Sequence, residues 1–166
     1  MDPLFSDLLA EAVIDKKSNE LFLKQISTQK EENILPLISD IHHRVFSETD
    51  CLTCANCCKT TPPLVIQEDV FRISRYLGIS AKNFIKTFVI VDFNGEMILK
   101  NVPCTFLNNQ NACTIYEVRP EACRRYPHTN EKGYAKRKSL NLANTLICPA
   151  ALKILRELKK ALPLTS

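Results

Sequence analysis

Apolar residues recur at three- and four-residue steps through the first 48 positions. Leu4, Leu8, Leu9 and Ala12 form one stripe, Leu21, Leu23 and Ile26 a second, and Ile34, Leu37, Ile38, Ile41 and Val45 a third. That spacing puts each set on one face of an α-helix. It predicts an N-terminal helical extension over residues 1–48, packed on a domain formed by residues 49–166.

The pattern then shortens and breaks. Pro62-Pro63 forces extended chain. Gln67 to Leu77 reads as a helix with Val70, Ile73 and Leu77 on one face and Gly78 as its C-cap. Ser80 suits the N-cap of a short helix through Phe84 and Ile85. Phe88 to Asp92 and Met97 to Lys100 flank Asn94-Gly95, a hairpin signal. A second small β-element is expected where Cys104-Thr-Phe-Leu and Cys113-Thr-Ile-Tyr bracket a polar loop. Arg119-Pro120 opens a short helix that Pro127 must end. Tyr134 to Leu146 reads as helix or irregular chain, and Cys148-Pro149 starts a last helix with Leu152, Leu155, Leu158 and Leu162 inward. The fold expected is mainly α with small β-hairpin elements (α+β), a compact cysteine-rich core under an N-terminal helical layer.

Composition narrows the function. The chain has 166 residues, 45% hydrophobic and 24% charged, with three Gly and no Trp. Neither a dinucleotide fingerprint nor a phosphate-cradling glycine loop occurs. The longest apolar run, Phe88-Val-Ile-Val91, is far too short to cross a bilayer. Acid near the N-terminus, where a secretory signal would carry Lys or Arg, points to the cytoplasm. Thiols stay reduced there, so dense cysteine favours metal or redox chemistry over a disulfide framework.

Net charge is +4, but residues 119–160 hold eleven Lys and Arg against three Asp and Glu. This basic C-terminal region could meet an acidic protein partner or stay a solvated face. Arg119, Arg124 and Arg125 could also offset thiolate charge. The absence of any recognised binding motif disfavours nucleic acid.

The chemistry lies in eight cysteines: Cys51, Cys54, Cys57 and Cys58 within eight residues, then Cys104, Cys113, Cys123 and Cys148. A Cys-x2-Cys step brings two sulfurs within reach of one ion, and eight thiols suffice for two four-coordinate sites. Thiolates are soft ligands that suit zinc, copper(I) and iron–sulfur clusters. In extended backbone, Cys57 and Cys58 would point to opposite faces. The pair is therefore expected to serve two sites or bridge two ions, with the run shared out and completed from the downstream cysteines. Cys51, Cys54 and Cys57 echo the start of the bacterial ferredoxin pattern, but the Cys-Pro lies far away at Cys148-Pro149. His42 and His43 fall on a helix away from the cysteines. His128, five residues after Cys123, could be a spare ligand or a donor to one.

Taken together, Cys51-x2-Cys54-x2-Cys57-Cys58, Cys104-x-Phe-Leu, Cys113-x-Ile-Tyr, Arg119-Pro120-x-x-Cys123-Arg and Cys148-Pro149 resemble the YkgJ-type cysteine-cluster family. That family is also described as the CxxCxxCC zinc- or iron-chelating domain. The resemblance covers about residues 48–150 and all eight cysteines. It implies metal chelation in a bacterial-type soluble protein. Relatives bear labels of zinc or iron binding, iron–sulfur oxidoreductase and, in one longer branch, flagellin lysine methylase.

Three readings follow. The first is a non-catalytic module with two all-cysteine sites, holding zinc, because closed four-thiolate sites are structural. The second is an iron–sulfur oxidoreductase or electron-transfer protein. The third is a thiolate metal chaperone or redox sensor with exposed cysteine. No Ser-His-Asp set, paired-carboxylate site or Cys-His pair gives an enzyme assignment a residue to rest on.

Overall fold

The structure, a computed structural model, describes residues 3–163, without the side chains of Pro3 and Leu4. Leu4, a member of the first predicted stripe, therefore lies outside the described side chains. In chain order the helices are α1 (Pro3–Ile14), α2 (Lys16–Ile26), α3 (Glu31–Ser47), α4 (Cys51–Cys54), α5 (Asn56–Thr60), α6 (Gln67–Tyr76) and α7 (Ala81–Phe88). After strands β1 (Val89–Val91) and β2 (Met97–Leu99) come α8 (Glu121–Arg125), α9 (Lys138–Thr145) and α10 (Pro149–Ala161). The fold is mainly α with a small two-stranded antiparallel sheet. Among the described residues no helix is long and apolar enough to cross a membrane. The chain forms two compact units, residues 1–54 with 127–166, and residues 55–126.

In the first unit α3 and α9 both pack on α10, and α2 packs on α9. Phe22, Leu23 and Ile26 of α2, Ile38, Ile41 and Val45 of α3, and Ile154, Leu155 and Leu158 of α10 make its core. Leu21, assigned to the inward stripe by spacing, is instead exposed. Two residues along a helix is about 200° of rotation, so Leu21 cannot share a face with Leu23. Asn19 and Phe22 complete that face. Pro149 stands at the start of α10, where its missing N–H is no loss.

In the second unit the segment after Pro62 is extended and adds to the hairpin. Leu64 bridges Ile98, and the Val65 N–H donates to the Met97 carbonyl at 2.9 Å. β1 and β2 pair Val89 with Leu99, Ile90 with Ile98 and Val91 with Met97. The hairpin loop is longer than the two-residue turn that Asn94-Gly95 suggests. Asp92 closes it: its N–H donates to the Glu96 carbonyl, and its carboxylate accepts from the N–H groups of Asn94 and Glu96 at 2.8 and 2.9 Å. Gly95 supplies the left-handed residue, φ 81°. Gly78, φ 68°, ends α6, and the Ser80 hydroxyl accepts the Asn83 N–H at the start of α7. Val70, Ile73, Phe84, Val89, Leu99, Phe106 and Ile115 form this unit's core.

Candidate metal centre

The cysteine run folds as two short helical turns, α4 and α5, with Ala55 left-handed (φ 49°) before α5. The extended backbone expected at Cys57-Cys58 is therefore absent. Adjacent residues of a helical turn diverge by about 100°, not 180°, and the two sulfurs stand 4.0 Å apart. All eight cysteines carry thiols rather than disulfides.

The second unit holds five of them, and four, Cys58, Cys104, Cys113 and Cys123, act on one another electrostatically. The Cys104 N–H donates to the Cys58 carbonyl at 2.8 Å, tying α5 to the segment after Pro103. A tight turn follows, with the Leu107 N–H on the Cys104 carbonyl at 3.0 Å and a bridge between Leu107 and Cys113. Cys123 lies in α8. Burial pushes its thiol up to about 12, and Cys58, Cys104 and Cys113 push in the same direction, with Arg119 opposing them. Burial also raises Cys104 and Cys113. Cys58 moves the other way, to about 7, because Cys57 hydrogen-bonds its sulfur and Lys59 adds positive charge against the burial.

The motif Cys-x-apolar has a physical reason here. The Phe106 N–H donates toward the Cys104 sulfur, and the Ile115 N–H toward that of Cys113. Phe106 and Ile115 are themselves buried in the core, which fixes their N–H groups in place. Amide donors aimed at sulfur favour the thiolate, the form that binds metal. The first unit repeats the device at Cys148, the N-cap of α10. Burial, then Cys51 and Cys54, push its thiol up to about 12, while the nearby N–H groups of Ala151 and Ala150 pull the other way.

The segment carrying Cys123 is clamped by a group the sequence did not announce. Asp69, fully buried, accepts from the Ile66 N–H, from the Glu121 N–H at the start of α8, and from Arg72. Arg72 also donates to the Arg119 carbonyl at 2.9 Å. The Arg119 guanidinium in turn lies 3.7 Å from the centre of the Tyr116 ring.

The histidines sit elsewhere. His42 Nδ1 is 2.8 Å from the Thr129 hydroxyl, His43 is exposed, and His128 Nδ1 is 2.9 Å from a Glu131 carboxylate oxygen. In the basic region, Lys136, Arg137, Arg156 and Lys159 bond to Ser27, Glu131, Glu11 with Asp15, and Asn19, respectively. Much of that charge serves internal contacts.

Among the described residues, no three Cys, His, Asp or Glu side chains are drawn in to the spacing of a coordination shell. The donor chemistry nevertheless fits a thiophilic metal: reduced sulfurs, partly buried, with amide donors directed at them. Residues 50–148 match the sequence pattern of the CxxCxxCC family, described as a putative zinc- or iron-chelating domain. The chain belongs to this family. The match spans all but the N-terminal helices and the body of α10, and includes all eight cysteines. No curated protein and no solved structure matches the chain.

Proposed function

We propose that this member of the CxxCxxCC family is a cytoplasmic metal-binding module with two thiolate centres that hold zinc, the one in the second unit in a structural role. Cys58, Cys104, Cys113 and Cys123 would make a closed four-thiolate centre in the second unit. Cys51, Cys54 and Cys148 would build the other in the first unit. The observation that supports this most is the convergence of four thiols from α5, the Cys104–Cys113 turn and α8, with amide N–H groups already aimed at two of the sulfurs.

The chemistry each residue contributes is specific. The four thiolates satisfy the tetrahedral preference of zinc and leave no position open, which is the pattern of a structural site. Such a site adds on the order of 10 kcal/mol toward folding at neutral pH. Phe106 and Ile115, held in the core, direct their N–H groups toward two of the sulfurs. Arg119 offsets part of the negative charge that four thiolates bring.

An iron–sulfur cluster is the second reading. Four cysteines also hold a cubane, and amide N–H donors to sulfur are among the features that set a cluster's potential. A third, metal exchange or redox sensing, rests on exposed Cys51.

Anaerobic purification with elemental analysis and an absorption spectrum tests all three. Zinc at two equivalents per chain and no visible absorption supports the proposal, whereas a brown protein rich in iron replaces it with the second reading.

A further inference from the structure

One face of α6 is buried and another is open. Val70 and Ile73 go into the core of the second unit. Glu68, Phe71, Arg72, Arg75 and Tyr76 recur at three- and four-residue steps, so they share a different face of the helix. Together with Val118, at the end of the turn Tyr116–Val118, they line a cleft of about 520 Å³. That volume lies within the roughly 300–1,000 Å³ typical of small-ligand sites. All the lining residues belong to the second unit.

The cleft surface is mostly apolar, and the Phe71 and Tyr76 rings are each 56% exposed. Its two guanidinium groups differ. Arg72 is balanced by buried Asp69 and grips the Val118 and Arg119 carbonyls, all through Nε and Nη2. Its Nη1 makes no hydrogen bond among the described residues. Arg75 has neither an ion pair nor a side-chain hydrogen bond among them. The cleft therefore holds one cation without a counterion, and beside it a second guanidinium with donors to spare. Glu68 lies one turn before Arg72 and two turns before Arg75, about 10 Å of helix rise.

We propose that this cleft binds a small aromatic monocarboxylate. The carboxylate takes the Arg75 guanidinium and the spare Nη1 donors of Arg72, and the ring lies against Phe71 and Val118. One negative charge answers the one unpaired cation, since Asp69 already balances Arg72. A phosphate ester or a nucleic-acid strand brings more negative charge than that, and Glu68 repels the excess. An aliphatic acid lacks the flat face that the Phe71 and Tyr76 rings and the guanidinium planes favour. The site touches none of the cysteines. Its one link to them is Arg72, which holds the Arg119 carbonyl ahead of Cys123.

Amide NMR on the full metal-loaded chain, titrated with phenylacetate at constant ionic strength, tests this. Phenylacetate should shift the amides of α6 and of Tyr116–Val118. A dissociation constant on the order of 1 mM is expected, as about ten heavy atoms in an open cleft allow. Phenylacetamide, of the same shape without the charge, should bind at least ~10-fold more weakly. Arg75→Gln should cost phenylacetate a similar factor, and Phe71→Ala should weaken both compounds. Both residues are exposed and stand outside the Asp69–Arg72 clamp, so these variants should keep the parent spectrum elsewhere. Amides of α6 that do not move at ~10 mM phenylacetate would overturn the proposal. So would equal binding of the amide, either variant binding as the parent does, or a single-stranded oligonucleotide that occupies the same amides more tightly. None of these outcomes depends on which metal the cysteines hold.

Discussion

Asp69 and Arg72, one turn apart on α6, make an ion pair of 2.6 Å in which the carboxylate is buried and the guanidinium about one-third exposed. Their value lies in what else they hold. The Asp69 carboxylate receives the first backbone N–H of α8, and Arg72 grips the Arg119 carbonyl two residues earlier. Together they fix the approach to Cys123. Asp69→Ala would leave a cation and two amide donors without their acceptor. It is expected to destabilise the protein by about 3 kcal/mol, the range for removing one partner of a buried pair. Urea unfolding of the metal-loaded protein measures this. A loss under about 0.5 kcal/mol, typical of a surface change, would show that the clamp has no structural weight.

The two sets of cysteines are expected to act independently. Cys113→Ser should abolish metal in the second unit and keep it in the first, and Cys148→Ser should do the reverse. Metal analysis of each variant should give about half the parent content, because each set holds one centre. His43→Ala should leave metal content and melting temperature unchanged. If either cysteine variant loses all metal while remaining folded, the division is wrong.

Reactivity in the metal-free protein should follow thiolate population. Cys58, lowered to about 7 chiefly through Cys57, should alkylate first at neutral pH. Cys123 and Cys148, pushed up to about 12 by burial, should react last. Mass mapping after brief iodoacetamide treatment gives the order. Cys123 reacting ahead of Cys58 would contradict the electrostatics described.

His42 predicts a loss of stability on acidification. Burial first, and His43 second, hold its pKa below the ordinary 6.5. The folded chain therefore binds this proton less readily than the unfolded chain does. The stability contributed by the neutral ring is complete above pH 6.5 and is lost as pH falls below it. Urea midpoints between about pH 7 and pH 5, the range in which a histidine titrates, should fall less steeply in His42→Gln than in the parent. Parallel curves would remove His42 from the account.

Much of the fold is legible from residues that act locally. Ser80 and Gly78 cap their helices because a hydroxyl acceptor and a left-handed glycine work through neighbouring backbone alone. The stripe Leu152, Leu155, Leu158 is wholly buried as its period implies. What stays hidden depends on distant partners. Asp69 and Arg72 read as an ordinary surface pair at i and i+3, and nothing local announces that Glu121 and Arg119 lie above them. A carboxylate three residues after the N-cap of a helix is the one available signal, since Asp69 also accepts the N–H of the N-cap Ile66. The cysteine run has no periodicity to betray its helical turns. The amide donors at Phe106 and Ile115 likewise come from backbone direction, with only the Cys-x-apolar spacing as a trace.

The central claim is that these sulfurs hold metal. Elemental analysis of protein purified without oxygen or chelator tests it most directly. Two equivalents of zinc per chain, with the seven liganding thiols shielded from reagent until a chelator is added, is the expected result. Metal-free protein with all eight thiols open to reagent and an unchanged melting temperature would contradict it.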